Sequence, residues 1–115
     1  MLTIETLRAL GADTDEGLKR CMNNEAFYLR LVKMAAGDAG FDKLADALSA
    51  GDRKAAFEAA HALKGILGNL SLTPLYRIAS ELTELLRAGT DADYEAYLRD
   101  LKAQRDKLLA LVSEG

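Results

Sequence analysis

An all-α fold is predicted by three features of this 115-residue sequence. Half of the residues are hydrophobic, yet only 6% are aromatic and there is no Trp. The apolar content is mainly Leu and Ala, both strong helix formers. Pro74 is the single proline. A β domain would carry more β-branched, aromatic and turn residues. The length suits one domain, spanning 1–115, with one core.

The elements follow in order. TIETLRAL is a short amphipathic piece ended by Gly11. A second short helix starts with Thr14 as N-cap, has Asp15 and Glu16 in its first turn, and runs through LKRCM. Asn23 or Asn24 caps EAFYLRLVKMAA, where Phe27, Leu31 and Met34 recur at helical spacing. The GDAG segment at 37–40 either breaks or kinks the helix. FDKLADALSA resumes it, with Phe41, Leu44, Ala45 and Leu48 on one face. Gly51 ends that helix and Asp52 caps the next, which ends near Leu70. Thr73 as N-cap followed by Pro74 starts a helix running to Gly89. Thr90 or Asp91 starts the last, with Leu98, Leu101, Arg105, Leu108 and Val112 along one side. Short loops make consecutive helices antiparallel. The expected architecture is an up-down antiparallel four-helix bundle over about 24–113, with a short N-terminal helical cap over about 1–22.

The formal net charge of −3 argues against a nucleic-acid partner, which needs a basic stripe. No apolar run approaches the roughly 20 residues that span a bilayer. The N-terminus lacks a signal-peptide pattern. A soluble, cytoplasmic monomer is therefore expected. Cys21 is the only cysteine and reads as a small apolar filler. With one His and one Cys, no metal site is expected.

His61 is the only histidine. On a wheel of about 100° per residue, Ala59, Leu63, Ile66 and Leu70 fall opposite it, flanked by Ala55, Ala56 and Leu67. That wide apolar stripe is a core face, which turns His61 toward solvent. Lys54, Phe57, Glu58, Lys64, Gly65 and Gly68 share the His61 side. Gly65 and Gly68 lie mid-helix, where each costs about 1 kcal/mol relative to Ala. They clear space for a bulky partner, or else they admit a neighbouring helix. Lys64 sets a positive charge one turn from the ring, which would suit an anionic group such as a phosphoryl attached there, though an ordinary solvated Lys would look the same. Phe57 is either docking surface or tucked against a neighbour.

The segment AAHALKGILGNLSL resembles the signature of histidine phosphotransfer (HPt) domains: His61, apolar Leu63, Lys64 and Gly65, followed by Gly68, Asn69 and Leu70. ELTELL downstream and EAFYLRLVK upstream are also similar to that family. Ile66 and Leu67 depart from the small residues often found there, and Ser71 replaces a frequent glycine. The resemblance implies a four-helix bundle. It implies that His61 accepts a phosphoryl group from a receiver-domain aspartyl phosphate and passes it to another receiver. Lys64 would help hold the phosphoryl oxygens and Gly65 would leave room for the receiver. Lys54, Phe57, Glu58 and Gly68 would form docking surface. The partners implied are receiver domains of response regulators or hybrid sensor kinases.

The sequence has no P-loop glycine pattern, no kinase nucleotide motif and no carboxylate cluster suited to a metal. A covalent carrier without cofactors or autonomous kinase activity is expected, with Mg²⁺ and the acidic pocket on the receiver. Three alternatives stand beside it: a degenerate bundle that docks receivers without phosphotransfer, a structural bundle in which His61 is buried or pinned, and, last, a small-molecule enzyme, against which few polar groups converge.

Overall fold

A computed structural model describes residues 1–114 of the chain. Among them are seven helices and no strand: α1 (Ile4–Ala9), α2 (Thr14–Arg20), α3 (Glu25–Ala36), α4 (Gly40–Ser49), α5 (Arg53–Asn69), α6 (Thr73–Ala88) and α7 (Tyr94–Ser113). The protein is all-helical.

Helix starts follow side-chain chemistry. Thr3, Asp13, Asn24, Asp52 and Asp93 each accept a hydrogen bond from a backbone N–H in the first turn of α1, α2, α3, α5 and α7. Three expected starts move. Asp13, not Thr14, caps α2: Thr14 is buried and accepts from Arg8 Nε at 3.0 Å instead. Thr73 is the first residue of α6, with Leu72 at the cap and no side-chain cap bond. The last helix starts at Tyr94 behind Asp93, not at Thr90 or Asp91. Gly89 ends α6 in the left-handed conformation (φ 67°), which lets Thr90 N–H reach the Leu85 carbonyl at 3.1 Å. At 37–40 the chain breaks between α3 and α4, and Asp38 Oδ2 accepts from Gly40 N–H at 2.8 Å.

The core draws on α3 to α7, joined by Ile4 and Leu7 of α1. Tyr28 and Val32 of α3, Phe41 and Leu44 of α4, Leu63 and Leu67 of α5, Leu82 of α6, and Leu101 and Leu108 of α7 are all buried. Ala56, Ala60 and Ala79 are completely buried and let α5 and its neighbours approach closely. α5 packs on α4 and α6, α6 on α7, and both α3 and α4 on α7. On α3 the buried side is Tyr28, Val32, Ala35 and Ala36. Of the apolar stripe read from the sequence, Phe27 and Met34 are exposed and Leu31 is half-buried. On α5 the buried line runs through Ala56, Ala60, Leu63 and Leu67, rotated toward Ala60 from the stripe expected; Ala59 and Ile66 are half-buried.

The end of α5 is tied down from the N-terminal helices. A helix leaves its last carbonyls without helical partners. Here Gly68 O accepts from Arg20 Nη1 at 2.6 Å, Leu70 O from Tyr28 Oη at 2.7 Å and Ser71 O from Asp13 N–H at 2.9 Å. Ser71 itself adopts φ 55°, which turns the chain into α6. Gly17 of α2 lies over the Tyr28 ring, where a Cβ would come within 2.5 Å.

Burial, more than the nearby Cys21 and Asp13, pushes the Tyr28 phenol up to about 12. The folded state thus favours the neutral phenol, which ionises near 10 in an unfolded chain. The stability this contributes is complete below pH 10 and is lost as pH rises toward 12. Tyr28→Phe is expected to cost about 1–2 kcal/mol near neutral pH, because Leu70 O loses its buried donor. Denaturant melts should show the wild-type advantage shrinking above pH 10.

Candidate functional site

α5 presents His61 to solvent because its core line lies on the other side of the helix. The imidazole stacks on Phe57, one turn earlier, with ring centroids 5.7 Å apart and planes 9° from parallel. The Arg87 guanidinium of α6 lies over the same Phe57 ring at 5.3 Å. Phe57 is half-buried between these groups, so it tucks against its neighbours. Such aromatic and cation–π contacts restrict the imidazole without burying it.

Lys64, one turn beyond His61, is half-buried along its stem and brings Nζ to 4.0 Å from Glu84 Oε1 of α6. Glu84 also meets Arg87 Nε at 3.6 Å. The Lys64 contact is long and solvent-exposed on the Glu84 side, so it holds the ammonium only weakly. The lysine stays able to move to a stronger anion.

The two glycines differ. A Cβ on Gly65 would meet nothing within 4 Å, so the space above it is open. A Cβ on Gly68 would come within 2.9 Å and 3.0 Å of the Tyr76 ring, so Gly68 admits a side chain of α6. Lys54 and Glu58 are exposed on the same helix, a turn or more before His61.

Beside His61 lies a cleft of about 510 Å³. α5 lines it with His61, Lys64, Gly65 and Gly68, and α6 adds Thr73 and Tyr76. Arg20 of α2 and Asp13, the N-cap before that helix, close it from the other side. Sequence reasoning did not bring Asp13, Arg20, Tyr76, Glu84 or Arg87 to the site. Each reaches it from another helix or, for Asp13, from a helix cap, and no local spacing signals that. Among the described residues, no group of three or more His, Cys, Asp or Glu is arranged to hold a metal ion. None of the helices is long and apolar enough to cross a membrane.

The family model described as the Hpt domain matches residues 34–113, well over half of the chain. The chain belongs to the Hpt domain family. Hpt domains serve histidine phosphotransfer in two-component systems; they are phosphocarrier modules, not kinases, and they interact with receiver domains. The match takes in the segment bearing His61, Lys64 and Gly65, whereas α1, α2 and most of α3 of this Hpt protein precede it. Comparisons with curated proteins and with solved structures give no match.

Proposed function

We propose that His61 is the phosphorylation site of a phosphorelay carrier, taking a phosphoryl group from one receiver's aspartyl phosphate and delivering it to another's aspartate. The observation that carries this reading is an exposed imidazole with open space above Gly65 and a loosely held lysine one turn away. A ring nitrogen of His61 attacks phosphorus in line. The N–P bond forms as the bond to the aspartyl oxygen breaks, and the aspartate leaves as carboxylate. The step runs backward onto the second receiver. Catalysis of this kind depends on positioning and charge neutralisation. The metal and acidic pocket are assigned to the receiver.

In this reading Phe57 orients the imidazole, Lys64 leaves Glu84 to hold a phosphoryl oxygen, and Gly65 admits the receiver. Lys54, Glu58 and Gly68 border the docked partner. The chain forms one domain, an up-down antiparallel four-helix bundle in which α3 and α4, broken apart at 37–39, count together as one interrupted helix; α1 and α2 cap it, and it acts as a monomer in the cytoplasm. Support for the bundle comes from the packing of α4 on α5, α5 on α6, α6 on α7, and α7 back on α3 and α4. The relay itself is tested by mixing the purified, labelled phosphoprotein with a second, unlabelled receiver. The label should move to that receiver; label that only leaks to water would remove the relay role.

Lys64→Ala is expected to slow transfer or shorten the phosphohistidine lifetime by about tenfold or less, because exposure limits the gain from one ion pair to roughly 1 kcal/mol. Lys64→Glu should do more harm, since it repels the phosphoryl group. Rates and half-lives measured at low and moderate salt check this. Equal behaviour of all three proteins at both salts would leave Lys64 without a role.

A further inference from the structure

We infer that Glu84 of α6 keeps the phosphoryl group on His61 transferable by competing with it for Lys64, so that this carboxylate sets the balance between the carrier and its receivers. The inference deepens the phosphotransfer reading of His61 and rests on it. Glu84 meets two cations: Oε1 lies 4.0 Å from Lys64 Nζ, and Oε2 lies 3.6 Å from Arg87 Nε. The Lys64 end of this bridge leads to the phosphoryl site, since Lys64 lies one turn from His61 on the same helix. The Arg87 end leads to the ring itself: the guanidinium lies over Phe57 at 5.3 Å, and Phe57 stacks on His61. Acids also balance the two cations that line the cleft, Glu84 for Lys64 and Glu16 for Arg20, the latter pair at 3.4 Å. Neither Lys64 nor Arg20 is therefore a free charge in the resting protein, and Lys64 has to leave Glu84 to reach a phosphoryl group.

A phosphoryl group on the imidazole adds negative charge one turn from Lys64. The ammonium then has two anions within reach. Its contact with Glu84 is long, and the Glu84 side chain is 57% exposed, so the exchange costs little. Glu84 is not stranded by the exchange, because Arg87 stays beside its other oxygen. The Lys64–Glu84 pair nevertheless stabilises only the unphosphorylated protein, and the carboxylate left behind repels the phosphoryl group. Both effects favour departure of the group. The N–P bond breaks as an aspartate oxygen of the receiver bonds to phosphorus, and the electron pair returns to the ring nitrogen. A lysine without a competitor would hold the group more firmly and slow its delivery. A carrier that works in both directions is served by a weak competitor, which trims the hold of Lys64 without cancelling it.

The test is the equilibrium between the full chain and one phosphorylated receiver, read as the share of label on each, followed by the rate of delivery to a second receiver. Glutamine is the informative substitution at Glu84, because its amide oxygen still accepts from Arg87 Nε and so keeps the Phe57 side of the bridge. Glu84→Gln should shift the equilibrium about threefold toward phosphorylated His61 and slow delivery by a similar factor, the size expected of one exposed ion pair. Its melting temperature should stay close to that of the wild type. Lys64→Ala should shift the equilibrium the other way. In that background Glu84→Gln should change it by about 1.5-fold or less, since only direct repulsion is left to remove. A Glu84 that merely braced α6 against α5 would move the melting temperature and not the distribution of label. An equilibrium that Glu84→Gln leaves unchanged, or shifts equally with and without Lys64, would overturn the inference and, with normal labelling of the wild type, leave the phosphotransfer reading standing. A wild type that no phosphorylated receiver labels would overturn both.

Discussion

His61→Gln is expected to abolish phosphoryl acceptance while the helical fold stays intact. Labelling from a phosphorylated receiver should fall to background, because glutamine keeps a polar, exposed side chain and lacks the nucleophilic ring nitrogen. The fold should tolerate the change. His61 is exposed, its main contact is the Phe57 stack, and the core line of α5 lies on the other side of the helix. Surface substitutions away from buried features usually shift stability by about 0.5 kcal/mol or less. Circular dichroism and thermal melts should match the wild type. A variant that labels as well as the wild type would place the acceptor elsewhere.

Gly65→Leu is the second large effect. Helix propensity alone favours leucine over glycine by roughly 0.8 kcal/mol. A Cβ there meets nothing within 4 Å, so the side chain starts into open space. The melting temperature should hold or rise by a few degrees. Transfer should fall at least about tenfold, because the branched side chain fills the approach to His61 and a misplaced reactant pair loses rate steeply. Gly68 cannot serve for this test, since the Tyr76 ring occupies the space a side chain would need. A Gly65→Leu variant that unfolds would reveal a helix contact at that position. One that transfers normally would show that the receiver does not use the space.

The fold class and the side of α5 that faces solvent were both legible in the sequence. Leu, Ala and well-spaced caps specify helices locally, and α5 has a single apolar side, so a wheel places His61 away from the core. α3 is different. Phe27, Tyr28, Leu29, Leu31, Val32 and Met34 spread apolar side chains over most of its circumference. Periodicity then has no unique face to find, and only packing against α7 and the end of α5 selects Tyr28 and Val32 over Phe27 and Met34. The α2 and α7 starts shifted where several capping residues stood close together. Asp13 and Thr14 are both able to cap; Asp13 does so while its N–H donates to Ser71 O, and Thr14 is taken by Arg8. The surroundings of His61 were legible only as far as one helix reaches. Lys64, Gly65 and Phe57 lie within one turn of it. Arg20, Tyr76, Glu84 and Arg87 arrive through tertiary packing, and the different surroundings of Gly65 and Gly68 follow from where Tyr76 lands.

The central claim is that the phosphoryl group is carried on His61, and locating the group tests it most directly. The chain is incubated with a receiver phosphorylated on its aspartate, digested under neutral to alkaline conditions that spare an N–P bond, and mapped by mass spectrometry. The expected result is one phosphoryl group per chain, confined to the peptide containing His61 and lost on brief acid treatment. An acid-stable phosphate on a serine, threonine or tyrosine, a label on any peptide lacking His61, or no transfer from any receiver tried would contradict it.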